Sequence, residues 1–253
     1  MQKSLFIGIT ALFFFACSER PAPSSNASSQ TDTAISLAPQ QEGQERGVAA
    51  PPPAIQSLRG MYRSGSEGAS FYDCAADKTY AVKGRPVELD SLYYEACQPA
   101  PYENESVYAV VRGQLTPVPP GQPVDGVLRI TGIDTITAKT MFNTCLPFDF
   151  WCLGTEPFWG LLISEKETGL FLKDIGRERG RRFAWATPKV QGDSWTYTTS
   201  DPATREKVSV IVRKTPCSDG MSDRRYNYAV ELRVGEQVLR GCAIRYGERV
   251  SRE

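Results

Sequence analysis

From residue 57 onward the chain alternates apolar and polar residues in short runs punctuated by turn residues, the pattern of half-buried strands. Residues 57–63 carry Leu58, Met61 and Tyr62, and the Gly-rich turn 65–68 separates them from a second run at 69–74. Asp77-Lys78 marks another turn before a run at 79–82. The period then changes. Val87, Leu89, Leu92, Tyr93 and Ala96 fall mostly on one helical face, with Pro86 at the start and Pro99 past the end, so the spacing predicts a helix over 86–96. Two longer strands are predicted at 107–115 and 127–136. Beyond residue 146 the same alternation gives seven short strands, at 158–164, 170–174, 182–186, 194–199, 207–213, 226–234 and 237–245. Gly235-Glu236 is a two-residue hairpin signal between the last two.

The chain is therefore mainly β. Five strands with one helix between the third and fourth fit a small OB-type five-stranded barrel over 57–140, with an α+β sandwich as the competing fold. Residues 146–249 are expected to form a second β-rich domain, an antiparallel barrel or meander.

The N-terminus has a different texture. An apolar run, residues 5–16, follows a Lys3-containing start and ends at Cys17. It is shorter than the roughly 20 residues a permanent membrane helix needs. Its layout is that of a secretory signal, residues 1–16, preceded by positive charge and closed by a small residue, Ala16. The segment resembles the lipobox of bacterial lipoproteins, although Phe14 and Phe15 replace the usual leucine and small residue. That resemblance implies acylation of Cys17, and Ser18 in the next position implies transport to the outer membrane. A plainly cleaved secretory signal and an uncleaved anchor are the alternatives. Residues 17–56 have no aromatic side chain before the first strand, are rich in Ser, Ala, Pro, Gln and Thr, and read as a disordered tether. A coil of that length spans about 35 Å.

Composition removes several functions. The chain has 29 basic and 29 acidic residues, and loss of residues 1–16 leaves a net charge near −1, which gives no footprint for nucleic acid. It has no histidine, which excludes histidine-based triads, histidine metal sites and a histidine pH switch. Seven cysteines include Cys17. The other six, Cys74, Cys97, Cys145, Cys152, Cys217 and Cys242, suit disulfides in an exported chain. Cys217 and Cys242 flank the last predicted hairpin and make a candidate pair.

Leu58-Arg59-Gly60-Met61-Tyr62, then 69–75 with its Phe71-Tyr72-Asp73-Cys74, Tyr80-Ala81-Val82, and 89–93 together resemble the C-terminal OB-fold domain of NlpE, an outer-membrane lipoprotein family. The likeness covers about residues 57–140. It implies a place in envelope-stress or surface sensing, and it pairs Cys74 with Cys145, leaving Cys97 and Cys152. The local alternative, Cys74 with Cys97 and Cys145 with Cys152, stays open. The family's N-terminal barrel with its Cys-x-x-Cys motif has no counterpart here. Gly154-Thr155-Glu156-Pro157-Phe158-Trp159, 217–223 and Gly241-Cys242-Ala243 resemble an uncharacterised bacterial envelope-lipoprotein domain.

Candidate chemistry is sparse. Glu156, Asp219 and Asp223 can be imagined as oxygen ligands for a hard cation, but Asp-Gly-x-Ser-Asp is foremost turn chemistry. Met221 with Cys152 as a soft-metal pair, and Glu156 with Asp149 as a glycosidase pair, lack a motif. Trp151, Phe158 and Trp159 read as core or barrel-mouth residues, and Arg177, Arg179, Arg181 and Arg182 as a solvated loop. The expectation is a non-enzymatic, cofactor-free lipoprotein. It would be held to the outer membrane through its N-terminal lipid, face the periplasm, and work through an envelope protein partner. A small-ligand or metal-binding lipoprotein of copper-homeostasis type is the alternative.

Overall fold

The computed structural model describes residues 53–253 apart from 175, 202, 203 and 253. Residues 1–52, with the signal segment, Cys17 and nearly all of the expected tether, lie outside the described residues. Ala50–Glu253 form one compact unit.

Five strands close a barrel: β1 (Ile55–Gly65), β2 (Gly68–Asp73), β3 (Lys78–Val82), β4 (Ser106–Thr116) and β5 (Gly126–Thr137), in the order β1-β2-β3-β5-β4. Closure depends on the long first strand, which pairs with β2 through its second half and with β4 along most of its length. β3 runs parallel to β5, as Tyr80, Ala81 and Val82 face Gly126, Val127 and Leu128. Gly60 makes the tight turn of the barrel wall possible, because a Cβ there would stand 1.9 Å from the Tyr72 carbonyl oxygen. The helix α1 (Glu88–Cys97) buries Leu89, Tyr93 and Cys97, four residues apart on one face, against the barrel core of Tyr62, Phe71, Val107 and Leu128. The Tyr93 hydroxyl donates to the carbonyls of Ser64 and Glu105 and ties helix to barrel.

The second half forms one antiparallel sheet of nine strands: β6 (Phe150–Thr155), β7 (Phe158–Ser164), β8 (Gly169–Asp174), β9 (Arg181–Ala184), β10 (Lys189–Gln191), β11 (Ser194–Ser200), β12 (Lys207–Arg213), β15 (Tyr228–Val234) and β16 (Gln237–Ile244). Its order is β10-β11-β12-β15-β16-β6-β7-β8-β9. The last strand returns to pair with the first, Ala243 against Cys152, so β9 and β10 are the free edges. The sheet curls until β9 touches β11, and one core fills it, with Phe150, Cys152, Trp159, Leu161, Phe183, Tyr197 and Leu232 inside. It is a curled meander rather than a second closed barrel. β13 (Cys217–Ser218), β14 (Arg224–Tyr226) and β17 (Ser251–Arg252) form a small separate sheet.

Cys74 is bonded to Cys145 and Cys217 to Cys242, while Cys97 and Cys152 are free and buried. The local pairing of Cys74 with Cys97 is therefore not the one the fold adopts. Cys217 does not enter the β15–β16 hairpin, as its sequence position suggests. It belongs to β13, and its disulfide staples the small sheet to the outer side of β16.

Candidate binding groove at the seam of barrel and sheet

Residues alternate along β1, β2 and β3, so Tyr62, Phe71, Tyr80 and Val82 fill the barrel while Met61, Arg63, Ser70, Tyr72, Thr79 and Ala81 lie on its outside. The turn between β7 and β8, which holds Lys166 and Glu167, stands over this outer face. Two adjoining cavities result, of about 100 and 540 Å³. Arg63, Ser70 and Thr79 line both; Tyr72, Lys166 and Glu167 line the smaller one, and Arg182 of β9 the larger.

A buried polar knot closes the base of the groove. The Lys139 ammonium donates to both carboxylate oxygens of Glu167 at 2.9 and 2.7 Å and to Ser106 Oγ at 2.8 Å, and the Ser106 hydroxyl donates to Glu167 Oε1 at 2.7 Å. The Lys139 and Glu167 side chains are 3% and 8% exposed. Burial pushes the Lys139 ammonium below its ordinary pKa, and the facing Glu167 carboxylate resists that shift. A second pair lies alongside. Lys173 Nζ sits 2.5 Å from the Glu105 carboxylate and also donates to the Cys97 carbonyl at 2.8 Å. Burial raises the Glu105 pKa, against the pull of Lys173. Tyr102 stacks on Phe171 at 4.8 Å between centroids, and the Gly180 amide donates to the Pro101 carbonyl at 3.0 Å. A small cavity of about 80 Å³ remains among Tyr102, Glu105, Lys139, Phe171 and Lys173. These contacts join residues of the barrel's α1–β4 loop to β8 and its neighbours.

The Asp219 loop is built otherwise. The Asp219 carboxylate accepts from the Met221 and Ser222 amides and from the Ser222 and Tyr226 hydroxyls, and the Asp219 carbonyl accepts from Thr155 Oγ1. Burial alone would raise its pKa, but these donors, Ser222 first, hold it below the ordinary carboxylate value. This is a self-satisfied turn, with Gly220 at φ 73°. Glu156 and Asp223 are exposed, and among the described residues no three His, Cys, Asp or Glu side chains are placed to share a metal ion. Trp159 is core and Phe158 is 47% exposed. Arg181 and Arg182 are strand residues, Arg181 paired with Glu206 at 3.1 Å, so that half of the arginine run is not a solvated loop. Residue reading missed Lys139, Glu167, Glu105 and Lys173, since their partners lie 28 and 68 positions apart and no local motif announces them.

The barrel, its inserted helix and its strand order define an OB-fold module. Residues 53–130 match the family model of the NlpE C-terminal OB domain. The curled sheet lies outside the matched residues. No curated protein and no solved structure matches the chain.

Proposed function

We propose that the protein is a lipid-anchored, non-enzymatic module of the outer membrane that faces the periplasm and works by binding an envelope partner. Envelope-stress or surface sensing is the most concrete form of that role. The observation that carries the reading is the match of residues 53–130 to the NlpE C-terminal OB domain. The signal-like run ending at Cys17 and the two disulfides are consistent with an exported, anchored chain. Photocrosslinking in growing cells tests it, with benzoylphenylalanine in place of the exposed Tyr94 or Phe158. The proposal predicts a defined adduct with an envelope protein in the outer-membrane fraction. A chain found in the cytosol, or one that crosslinks to nothing from either position, contradicts it.

A further inference from the structure

The groove between the barrel's outer face and the β7–β8 turn carries three cations, Arg63, Lys166 and Arg182, that make no ion pair among the described residues. The side chain of Arg63 is exposed and, among the described residues, makes no hydrogen bond or ion pair. Lys166 lies over the Tyr72 ring, 5.4 Å from its centroid. The Arg182 guanidinium donates to Thr168 Oγ1, at 3.3 Å, and covers Phe171. Nearby, Asp77 accepts from the Tyr72 hydroxyl and Asp125 from the Thr79 amide, and neither forms an ion pair with these cations among the described residues. Glu167 spends its charge on Lys139, which leaves Glu67 as the one other carboxylate of the lining. Between the cations sit the hydroxyl-bearing Ser70 and Thr79 and the Tyr72 ring. The larger cavity, about 540 Å³, falls in the range of small-molecule sites.

We infer that this groove binds an anionic oligosaccharide, a short sugar chain bearing carboxylate or phosphate. A guanidinium offers its forked donors to either anion, in bidentate geometry. Hydroxyls meet sugar hydroxyls, and an aromatic face with a cation above it suits the edge of a sugar ring next to its charge. Nucleic acid fits less well, because the whole chain lacks the basic excess such binding needs. The site is composite: β1–β3 supply Arg63, Ser70, Tyr72 and Thr79, and the curled sheet supplies Lys166 and Arg182. The inference does not depend on acylation at Cys17.

Titration calorimetry on the full chain in detergent micelles tests it with four probes: a hyaluronan tetrasaccharide, glucosamine 6-phosphate, the neutral cellotetraose and inorganic phosphate. At least one of the two anionic sugars is expected to bind tenfold or more tightly than both cellotetraose and phosphate. The tighter of the two distinguishes carboxylate from phosphate as the recognised group. Arg63→Gln is expected to weaken binding about tenfold with an unchanged melting temperature, and Lys166→Gln to weaken it too. Lys214→Gln, a surface cation outside the groove, is expected to leave it unchanged. No binding by either anionic sugar, inorganic phosphate or cellotetraose binding as tightly as the better of the two anionic sugars, or Arg63→Gln binding like the parent overturns the inference.

Discussion

Replacing Lys139 by methionine strands the Glu167 carboxylate at 8% exposure with the Ser106 hydroxyl as its remaining donor among the described contacts. Removing one partner of a buried ion pair costs about 3–5 kcal/mol, because the remaining charge has lost both its solvent and its counter-ion. A stranded carboxylate can escape by taking up a proton, which sets a ceiling. Protonating a carboxylate of ordinary pKa about 4.3 at pH 7 costs about 3.7 kcal/mol. The expected loss is therefore close to 3–4 kcal/mol, or a fall in Tm of about 10 °C for a folded unit of roughly 200 residues. The sign of the pH dependence follows. The stranded carboxyl binds its proton more tightly folded than unfolded, so the deficit is full at neutral pH and shrinks as pH falls toward 4. The double variant Lys139→Met with Glu167→Gln removes both charges and is expected to recover most of the loss. The assay is urea unfolding followed by fluorescence and far-UV circular dichroism together. All four tryptophans, Trp151, Trp159, Trp185 and Trp195, belong to the curled sheet and its loops, so fluorescence reports that half while dichroism reports both. A single variant within about 1 kcal/mol of the parent at pH 7, or a deficit that grows on acidification, refutes the reasoning.

Three further outcomes are expected. Replacing both Cys74 and Cys145 by serine opens a loop spanning 71 positions and should cost about 4.4 kcal/mol, against about 3.5 kcal/mol for the Cys217–Cys242 bridge spanning 25, read from urea midpoints. Gly241→Ala would put a Cβ 2.0 Å from the Leu153 carbonyl oxygen and should cost about 2 kcal/mol or more, whereas Gly160→Ala meets nothing nearer than 4.0 Å and should cost under about 1 kcal/mol in thermal melts. Burial holds the Glu105 pKa above its ordinary value, so the folded chain binds that proton more tightly than the unfolded one, and stability falls as pH rises through the window just above that ordinary value. Glu105→Gln should flatten that slope in urea midpoints measured from pH 4 to 6.5, and an unaltered slope would assign it to other groups.

The barrel was legible because its information is local. Alternation at Tyr62, Phe71, Tyr80 and Leu128 marks inward faces, and the shift to helical spacing through Leu89, Leu92, Tyr93 and Ala96 marks the helix, whose buried face is Leu89, Tyr93 and Cys97 while Val87 at its start is exposed. The Gly235-Glu236 turn likewise fixed a hairpin, with Val234 opposite Gln237. β6 was hidden because Gly154 and the following Glu156-Pro157 read as loop, although Phe150, Cys152 and Gly154 alternate inward. β10, β13, β14 and β17 are two or three residues long, too short for alternation to show, and β17 is placed only by pairing with β14, some 27 positions earlier. The seam escaped for the same reason: Lys139 meets Glu167, and Glu105 meets Lys173, only after two separate sheets have formed. Asp219 shows the reverse, since Asp-Gly-x-Ser chemistry is local and the turn it builds is the one its residues prefer.

The proposed anchor is tested most directly by the intact mass of the protein recovered from outer membranes. The account predicts a chain that begins at Cys17 and carries three acyl chains, released as a lipid-modified fragment by proteolysis ahead of the barrel. An unmodified Cys17 thiol, or a chain that still carries residues 1–16, would contradict it.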